Sequence, residues 1–591
     1  MTSSINDFYE GKNILIFGST TFPGKVLIEK LLRSCPNIDK IYCPIQISTK
    51  KSNTNTNQNF LPIDIFAEIY TTKLFDRVRH NNVKFQEKII PFDINLLYTL
   101  LDHDNENNFD NNEQDKQIEI LSYKNIQNTI DICFYMANIS IDFEEQNLKD
   151  MIQTNVIDLK RILGFLKTCK KLKSIVYLSS IYANIDFEEQ NLKDMIQTNV
   201  IDLKRILGFL KTCKKLKSIV YLSSIYANID CPYIDECIYP CPIEPHKLLD
   251  ALDWMDKEMV AIATPKLIGS KPNAFSFSHW LAETILSEEQ KNLPSISIVR
   301  VSIIGASWKE PYPGWVEKSN GPSEFFVAAG RGYLRSMKGD SHDVLDIVPV
   351  DIPVNLSITA AWQKYSEDNN DHITIYHCTS SGLNPFRWQE MSNYFTEYSK
   401  RVPYEHAFRR PNLSVTSHSL IHDSYIFFSH LIPAYLADIG LCLIGRKPHI
   451  VNIYKNLHRT LLKLESFTIR EEIQCSYDSL NSLRQLIIET NNLNEFYFDI
   501  RALHWPTYIE SYLIGTKRYI LNEDIHCLNG AQKHLNNLRN IRWTFNTIIL
   551  ILLWRIFISK RPTARNLWYF IINFFVAKFV RFFKILSAGN A

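Results

Sequence analysis

"NILIFGSTTFPGKVLIEKLLRSCP", residues 13–36, reads as a buried strand, a glycine-bearing turn and an amphipathic helix in succession. That succession is the first unit of a dinucleotide-binding sheet, in which the helix N-terminus faces the pyrophosphate. The turn carries Gly18-x-x-Thr21-x-x-Gly24. Small residues are needed there because backbone N–H groups must come close to the phosphates. Gly18 and Gly24 keep the turn and the helix packing, whereas Thr21 puts a β-branched side chain into the approach. Thr20 and Phe22, in the same turn, complete the candidate cofactor contacts. A plain tight turn would carry the same two glycines, but their place after a strand and before a helix favours the nucleotide reading.

Further along the chain the pattern repeats. "KIYCPIQ" (40–46), "KIIPFDI" (88–94), "DICFYMAN" (131–138) and "PSISIVRVSIIGA" (294–306) read as strands, and "VLDIVPVDIPVNLSITAAW" (344–362) as a strand leading into a helix. Strands alternating with helices predict a doubly wound, Rossmann-like parallel α/β sheet over residues 10–380. Residues 381–535 read as a mostly helical second domain, and 541–586 as an apolar terminal segment. Gln46 ends the second strand, where a basic residue would pair with the 2′-phosphate of NADP; glutamine can bond a ribose without supplying charge. Asp93 stands where a carboxylate can accept a bond from an adenine amino group, or serves as an ordinary turn residue. Ala137 follows the strand at 131–136 as a further cofactor contact.

Residues 141–184 recur unchanged as 185–228. Solenoid arrays diverge at their surfaces and need three or more units, so a repeat architecture is rejected. Each copy reads as one helix, with Leu148, Ile152, Leu159, Ile162 and Leu166 on its apolar face, followed by the strand "SIVYLSS". A doubly wound domain needs one such unit here. The second has the form of a recent tandem duplication or of a flaw in the gene assembly. One copy is therefore expected to dock and 44 residues to be displaced onto the surface. The serines closing each copy, Ser179–Ser180 and Ser223–Ser224, lie where a strand end faces the cofactor and can bond a carbonyl oxygen that is gaining charge. Chain connection favours Ser224 over Ser180 as the neighbour of Phe275.

"PNAFSFSHWLAETIL" (272–286) has the frame of a catalytic helix, with Phe275 and His279 one helical turn apart. Short-chain-dehydrogenase-like enzymes carry Tyr-x-x-x-Lys in that frame: the tyrosine delivers a proton, and the lysine lowers its pKa and holds the cofactor ribose. Phenylalanine has no proton to give.

The formal net charge of +2 and 45% apolar content describe a folded protein with no signature of nucleic-acid binding. Twelve scattered cysteines read as free thiols of a reducing compartment. The N-terminus "MTSSINDFYEGKN" lacks a signal peptide's apolar core, which faces the bulk of the chain toward the cytosol. His418 and His422 stand four apart and could share a metal, but no carboxylate follows in ligand register. Hydrogen-bonded helix histidines are the preferred reading, and no metal is assigned.

The segment from Ser223 to Glu283, "IVRVSIIGASWKEPYPGW" (298–315), "NGPSEFFVAAGRGYLRSM" (320–337) and "IVPVDIPVN" (347–355) resemble the alcohol-forming fatty acyl-CoA reductases. "FFSHLIPAYLADIGLCLIGRKP" (427–448) and "FDIRALHWPTYIESYLIGTKRYIL" (498–521) look like that family's C-terminal domain. The resemblance runs from about residue 10 to about 530. It implies NADPH-dependent reduction of a long-chain fatty acyl-CoA to a primary alcohol, by two hydride transfers through a bound aldehyde. The family's Gly-x-x-Gly-x-x-Gly falls on Gly18, Thr21 and Gly24, its strand-ending Arg on Gln46, and its Tyr-x-x-x-Lys on Phe275 and His279. Its catalytic-strand hydroxyl falls on Ser224, or on Ser180 in the first copy. The departures imply weaker cofactor contacts and a missing proton donor. The alternative reading is a relative that binds acyl-CoA or lipid without reducing it.

"IRWTFNTIILILLWRIFI" (541–558) is an apolar stretch just long enough to cross a bilayer. In "LWYFIINFFVAKFVRFFKIL" (567–586), Lys578, Arg581 and Lys584 recur every three residues beneath a Phe-rich face. Basic residues flank the first stretch on both sides, which favours a shallow hairpin or in-plane anchor in membrane lipid over a single crossing. A buried helical pair is the bland alternative. The catalytic domain is expected on the cytosolic face of the endoplasmic reticulum or peroxisome.

Overall fold

Apolar runs of four to seven residues, buried on both faces, make a sheet that must be covered by helices on each side. The computed structural model describes residues 4–45, 62–82, 84–94, 126–136, 158–178, 192–317, 321–367, 372–443, 445–455, 457–458, 474–524, 528–563, 565–570, 572–574 and 578. Eight strands form the sheet: β1 (Asn13–Phe17), β2 (Lys40–Ile45), β3 (Ile89–Asp93), β4 (Ile132–Tyr135), β5 (Ser174–Leu178), β6 (Ser218–Ser224), β7 (Ser295–Val301) and β8 (Thr374–Cys378). Their order is β8-β7-β6-β5-β4-β1-β2-β3, and every pairing is parallel. The chain reverses its direction of travel across the sheet between β1 and β4. All strand ends share one edge, so Phe17, Asp93, Tyr135 and Ser224 arrive on the same side. A crevice at such a reversal is where doubly wound folds bind ligands.

The expectation that one repeat copy would be displaced is overturned. Both copies are docked: β5 and β6 are neighbours, and each residue lies opposite its own duplicate, Ser174 against Ser218 and Tyr177 against Tyr221. Ser218 Oγ donates to Ser174 Oγ at 2.7 Å. Tyr135, Tyr177 and Tyr221 stack across three strands, with centroid spacings of 5.3 and 5.9 Å. The helices preceding the two strands, α2 (Asp158–Thr168) and α3 (Asp202–Leu210), bury matching faces: Ile162, Phe165 and Leu166 in one, Ile206, Phe209 and Leu210 in the other. The reason is energetic. A displaced copy would expose these side chains, each worth about 1.5–3 kcal/mol on burial, and would leave a strand's backbone unpaired. An open sheet can take in one more parallel strand, its two halves moving apart by one strand spacing of about 4.8 Å.

Later segments pack onto the sheet. Strand segment Gln474–Cys475 pairs with Tyr233–Ile234. In the helix Trp505–Gly515, Tyr508 Oη donates to the Ala306 carbonyl at 2.9 Å and Tyr512 stacks on Phe326 at 4.1 Å. Two helices stand apart from this packing. One is the continuous helix α5 (Ser419–Leu443), the one helix among the described residues long and apolar enough to cross a membrane. The other is α6 (Leu528–Leu553), in which only Ala531 and Leu535 are buried and residues 541–553 are all exposed. His422 lies on α5 with Nδ1 3.2 Å from Ser336 Oγ, while His418 precedes the helix. Among the described residues no group of three candidate ligands could hold a metal. The eleven described cysteines are free thiols.

Candidate functional site

The turn after β1 is built as the sequence spacing requires. Gly18 has φ +73°, and a Cβ on Gly24 would stand 2.1 Å from the Gly18 carbonyl oxygen. Both positions need glycine for those reasons. Thr21 caps the helix α1 (Phe22–Ser34): its Oγ1 accepts from the Gly24 N–H at 3.3 Å and donates to the Gly18 carbonyl at 2.7 Å. The side chain therefore folds back rather than projecting into the phosphate approach. It still weakens an anion site, by a different route. Gly24 N–H is engaged, Thr21 N–H is bonded to the Gly18 carbonyl at 3.0 Å, and Pro23 has no N–H, which leaves Ser19, Thr20 and Phe22 to offer theirs. Asp93 ends β3 at the same edge, opposite Ile45 of β2. Gln46, Ala137, Ser179 and Ser180 lie outside the described residues.

Ser224 ends β6, is fully buried, and caps the turn Ile225–Asn228 by accepting from Tyr226 N–H at 3.4 Å. That turn packs on α4 (Ala274–Glu289), the helix that carries Phe275 and His279. Asn273 caps α4 through a bond from Ser276 N–H at 2.9 Å. Asn199, in the turn before α3, donates to Ser278 Oγ on α4 at 2.8 Å, which fastens the second repeat copy to this helix. The structure thus brings Ser224 and the Phe275 frame together, separate from the glycine turn on β1.

Phe275 and His279 meet edge to face at 4.4 Å, and both are fully buried. Neither ring nitrogen of His279 has a hydrogen-bond partner among the described residues. Burial pushes its pKa down to about 3, so the ring is neutral at physiological pH. It carries none of the charge a lysine would bring. Tyr226 places a phenol in the turn after Ser224. Its hydroxyl is 3.5 Å from the Asp346 carbonyl, and burial raises its pKa well above the ordinary value.

Sequence reasoning missed the polar core beneath the site. Arg300, in β7, is fully buried and donates to both carboxylate oxygens of Glu283 on α4, at 2.7 Å through Nη2. Glu283 also accepts from Ser223 Oγ at 2.6 Å. Arg300 reaches the carbonyls of Asp235 and Cys237 at 3.1 and 2.7 Å, and lies 3.2 Å from His377 Nε2. His377 Nδ1 faces the Ser476 carbonyl at 2.8 Å, so that nitrogen carries the proton and Nε2 accepts from Arg300. Burial and the guanidinium push the His377 pKa down to about 3. An arginine inside "SISIVRVSIIGA" and a glutamate on an apolar helix were the visible signals, since buried charges require partners.

With this geometry established, two family profiles match the chain, both described as male sterility protein. The NAD-binding profile covers residues 16–97 and 182–357, and the second profile, Sterile, covers 429–523. Fatty acyl-CoA reductase 1 of Mus musculus is 39% identical over 585 residues, covering 99% of each chain. The chain belongs to the fatty acyl-CoA reductase family. Fatty acyl-CoA reductase 2 of Bos taurus is 34% identical over 589 residues, covering 100% of each chain. Among solved structures, a nonribosomal peptide synthetase reductase domain from Mycobacterium tuberculosis is 12% identical with a TM-score of 0.45, covering 87% of this chain and 94% of that one. The family's NAD-binding profile passes from residue 97 to 182. It takes in the second repeat copy and leaves out the first together with β4.

Proposed function

We propose that this family member binds NADPH and long-chain fatty acyl-CoA, and reduces the thioester to the primary alcohol at a rate far below that of a sheet with an intact proton donor. The observation that carries the reading is the α4 frame: helix, caps and buried supports are in place, while Phe275 has no exchangeable proton and His279 is neutral. The residues of the β1 turn and the strand ends fit a nicotinamide dinucleotide, with Gly18, Thr20, Phe22 and Gly24 shaping the pyrophosphate seat and Asp93 the adenine side. The cofactor, when bound, supplies the hydride. Ser224 holds the substrate carbonyl oxygen and favours charge building there. Neither Phe275 nor the neutral His279 can deliver the proton a tyrosine would, and losing a general acid costs typically 10²–10⁴ in rate. Apolar helices at the C-terminal end suit a substrate that partitions into membrane lipid, with the catalytic domain facing the cytosol.

The second reading, binding without reduction, is favoured by the same two side chains. Purified full-length protein incubated with NADPH and long-chain acyl-CoA, and assayed for alcohol and aldehyde by mass spectrometry, separates the two. Slow alcohol formation that rises in Phe275→Tyr/His279→Lys supports the enzyme. Saturable acyl-CoA binding with no product in either form supports the binder. Fast wild-type turnover would refute the impairment and direct attention to Tyr226 or a water as the proton source.

A further inference from the structure

The helix α5 presents its faces in reverse. Surface helices of water-soluble proteins turn apolar residues inward and polar ones outward. In α5 the buried positions are His422, Ser429, His430, Ala434 and Asp438, while Leu420, Phe428, Leu436, Ile439 and Leu443 are each more than half exposed. Phe428, Ile432, Tyr435 or Leu436, Ile439 and Leu443 recur at three- and four-residue steps, so the exposed side is one continuous apolar stripe. The α6 helix adds to it. Its His534 is held 2.7 Å from the Ala407 carbonyl, and from Ile541 onward every described residue to Trp554 is exposed.

A cationic cluster stands beside Ser429 in the interior of α5 and near Arg542 midway along α6. Arg335, only 6% exposed, donates through Nη1 to Ser429 Oγ at 3.1 Å, and its Nε has no partner among the described residues. Arg409 donates to the carbonyl of the same Ser429. Arg542, at the start of the exposed apolar run of α6, is close enough to both to act on them electrostatically. No carboxylate among the described residues pairs with any of the three. Burial and the two neighbouring guanidiniums push the Arg335 pKa down to about 10.

We propose that the outward stripe of α5 and the exposed end of α6 bed together into an anionic phospholipid surface, with Arg409 and Arg542, backed by Arg335, seating a lipid phosphate at the edge of the bedded face. The apolar stripe and the cationic cluster adjoin through Ser429, which places charge at headgroup level when the stripe is in the acyl region. Arginine suits the task because its planar fork can bond two phosphate oxygens at once. The inference extends the membrane association proposed above from the terminal segment to the catalytic body. It would hold the substrate-binding domain flat on the lipid rather than free on a tether.

The test uses the full chain in vesicles of phosphatidylcholine with or without phosphatidylserine. Variants Phe428→Cys and Leu436→Cys, made in a background in which the exposed Cys237 and Cys442 and the partly exposed Cys213, Cys231 and Cys241 are serine, carry an environment-sensitive fluorophore; Ile549→Cys reports the terminal helix separately. Lipid-borne quenchers are expected to reach the probes at 428 and 436, while aqueous iodide does not. A probe at 549 in lipid with 428 and 436 still in water would overturn the proposal while leaving terminal anchoring intact. Burial of the 428 probe without vesicles, rising with protein concentration, would assign the stripe to self-association and also overturn it. Arg409→Gln and Arg542→Gln should each lower the preference for phosphatidylserine vesicles by about fivefold. An unchanged preference in the double variant, or its loss to excess inorganic phosphate, would overturn the lipid-phosphate seat.

Discussion

Deleting residues 141–184 tests what the extra strand does to the chemistry. In the present sheet β4 and β5 lie between β1, which carries the glycine turn, and β6, which carries Ser224. At about 4.8 Å per strand, Ser224 and α4 stand roughly 14 Å along the sheet from the dinucleotide turn, against roughly 10 Å with one copy. The difference is about one strand spacing. Reacting atoms must approach to about 3–3.5 Å, and a misplacement of 1 Å can cost about 10²-fold, so a shift of this size would slow hydride transfer to a substrate held by Ser224 by about a hundredfold or more without abolishing it. The deletion should close without loss of register. Ile132 now faces Ser174, Ser174 faces Ser218, and after excision Ile132 would meet Ser218 in an identical sequence. Tyr135 would then stack on Tyr221 as it now does on Tyr177. In the Phe275→Tyr/His279→Lys background, alcohol formation by the shortened chain should exceed that of the long chain by about a hundredfold or more, read by mass spectrometry. Equal turnover in both lengths would refute the spacing argument. A shortened chain that fails to fold, judged by circular dichroism and thermal melting, would refute the view that the copies are interchangeable in the sheet.

His279 and His377 take up protons in the fold only near pH 3, whereas an unfolded histidine does so near 6.5. Between those values the unfolded chain binds more protons, so stability should fall as pH falls below 6.5, by about 1.4 kcal/mol per unit for each histidine. Urea midpoints measured from pH 6.5 to 5, compared between wild type and His279→Phe, should differ in slope by the share of that one histidine, about 1.4 kcal/mol per unit. Arg300→Met, which strands the buried Glu283 carboxylate, should destabilise by about 3–5 kcal/mol, and Arg300→Met/Glu283→Met should recover most of the loss in thermal melts. Thr21→Gly frees the Gly24 N–H and should tighten NADPH binding by calorimetry, although losing the cap lowers stability by about 1 kcal/mol or less. Gly24→Ala, whose Cβ would collide with the Gly18 carbonyl, should abolish cofactor binding and lower the melting temperature.

Much of the fold was legible because its signals are local. The strand–turn–helix at 13–36, the apolar strands and the helical frame at 272–286 depend on short-range periodicity and turn chemistry, and each lies where those patterns put it. The repeat was misread because the number of strands in an open sheet is a property of pairing, and nothing within 44 residues states whether a neighbour will accept them. The folded-back Thr21 hydroxyl and the neutral His279 were also out of reach, since both depend on what surrounds the side chain. Arg300 was a missed opportunity: a lone charge in an apolar strand announces, by its residue type alone, that a partner is buried beside it. The outward stripe of α5 could not be told from a core-facing one, because periodicity gives a face and not its direction.

The pairing of Glu283 with Arg300 has a consequence for how such a chain changes over generations. Helix α4 carries Phe275 and His279, and it also holds one half of a fully buried ion pair whose other half sits on β7, one strand in from the sheet's edge. Altering either half alone strands a charge in the interior, so folding constrains this helix whether or not catalysis does. Phe275 and His279 occupy positions free of that duty and can drift, while Glu283, two turns further on, cannot drift alone. A family member can therefore shed its chemistry and still preserve the outline of its active site. Resemblance in this region measures the survival of a clamp as much as the survival of an activity.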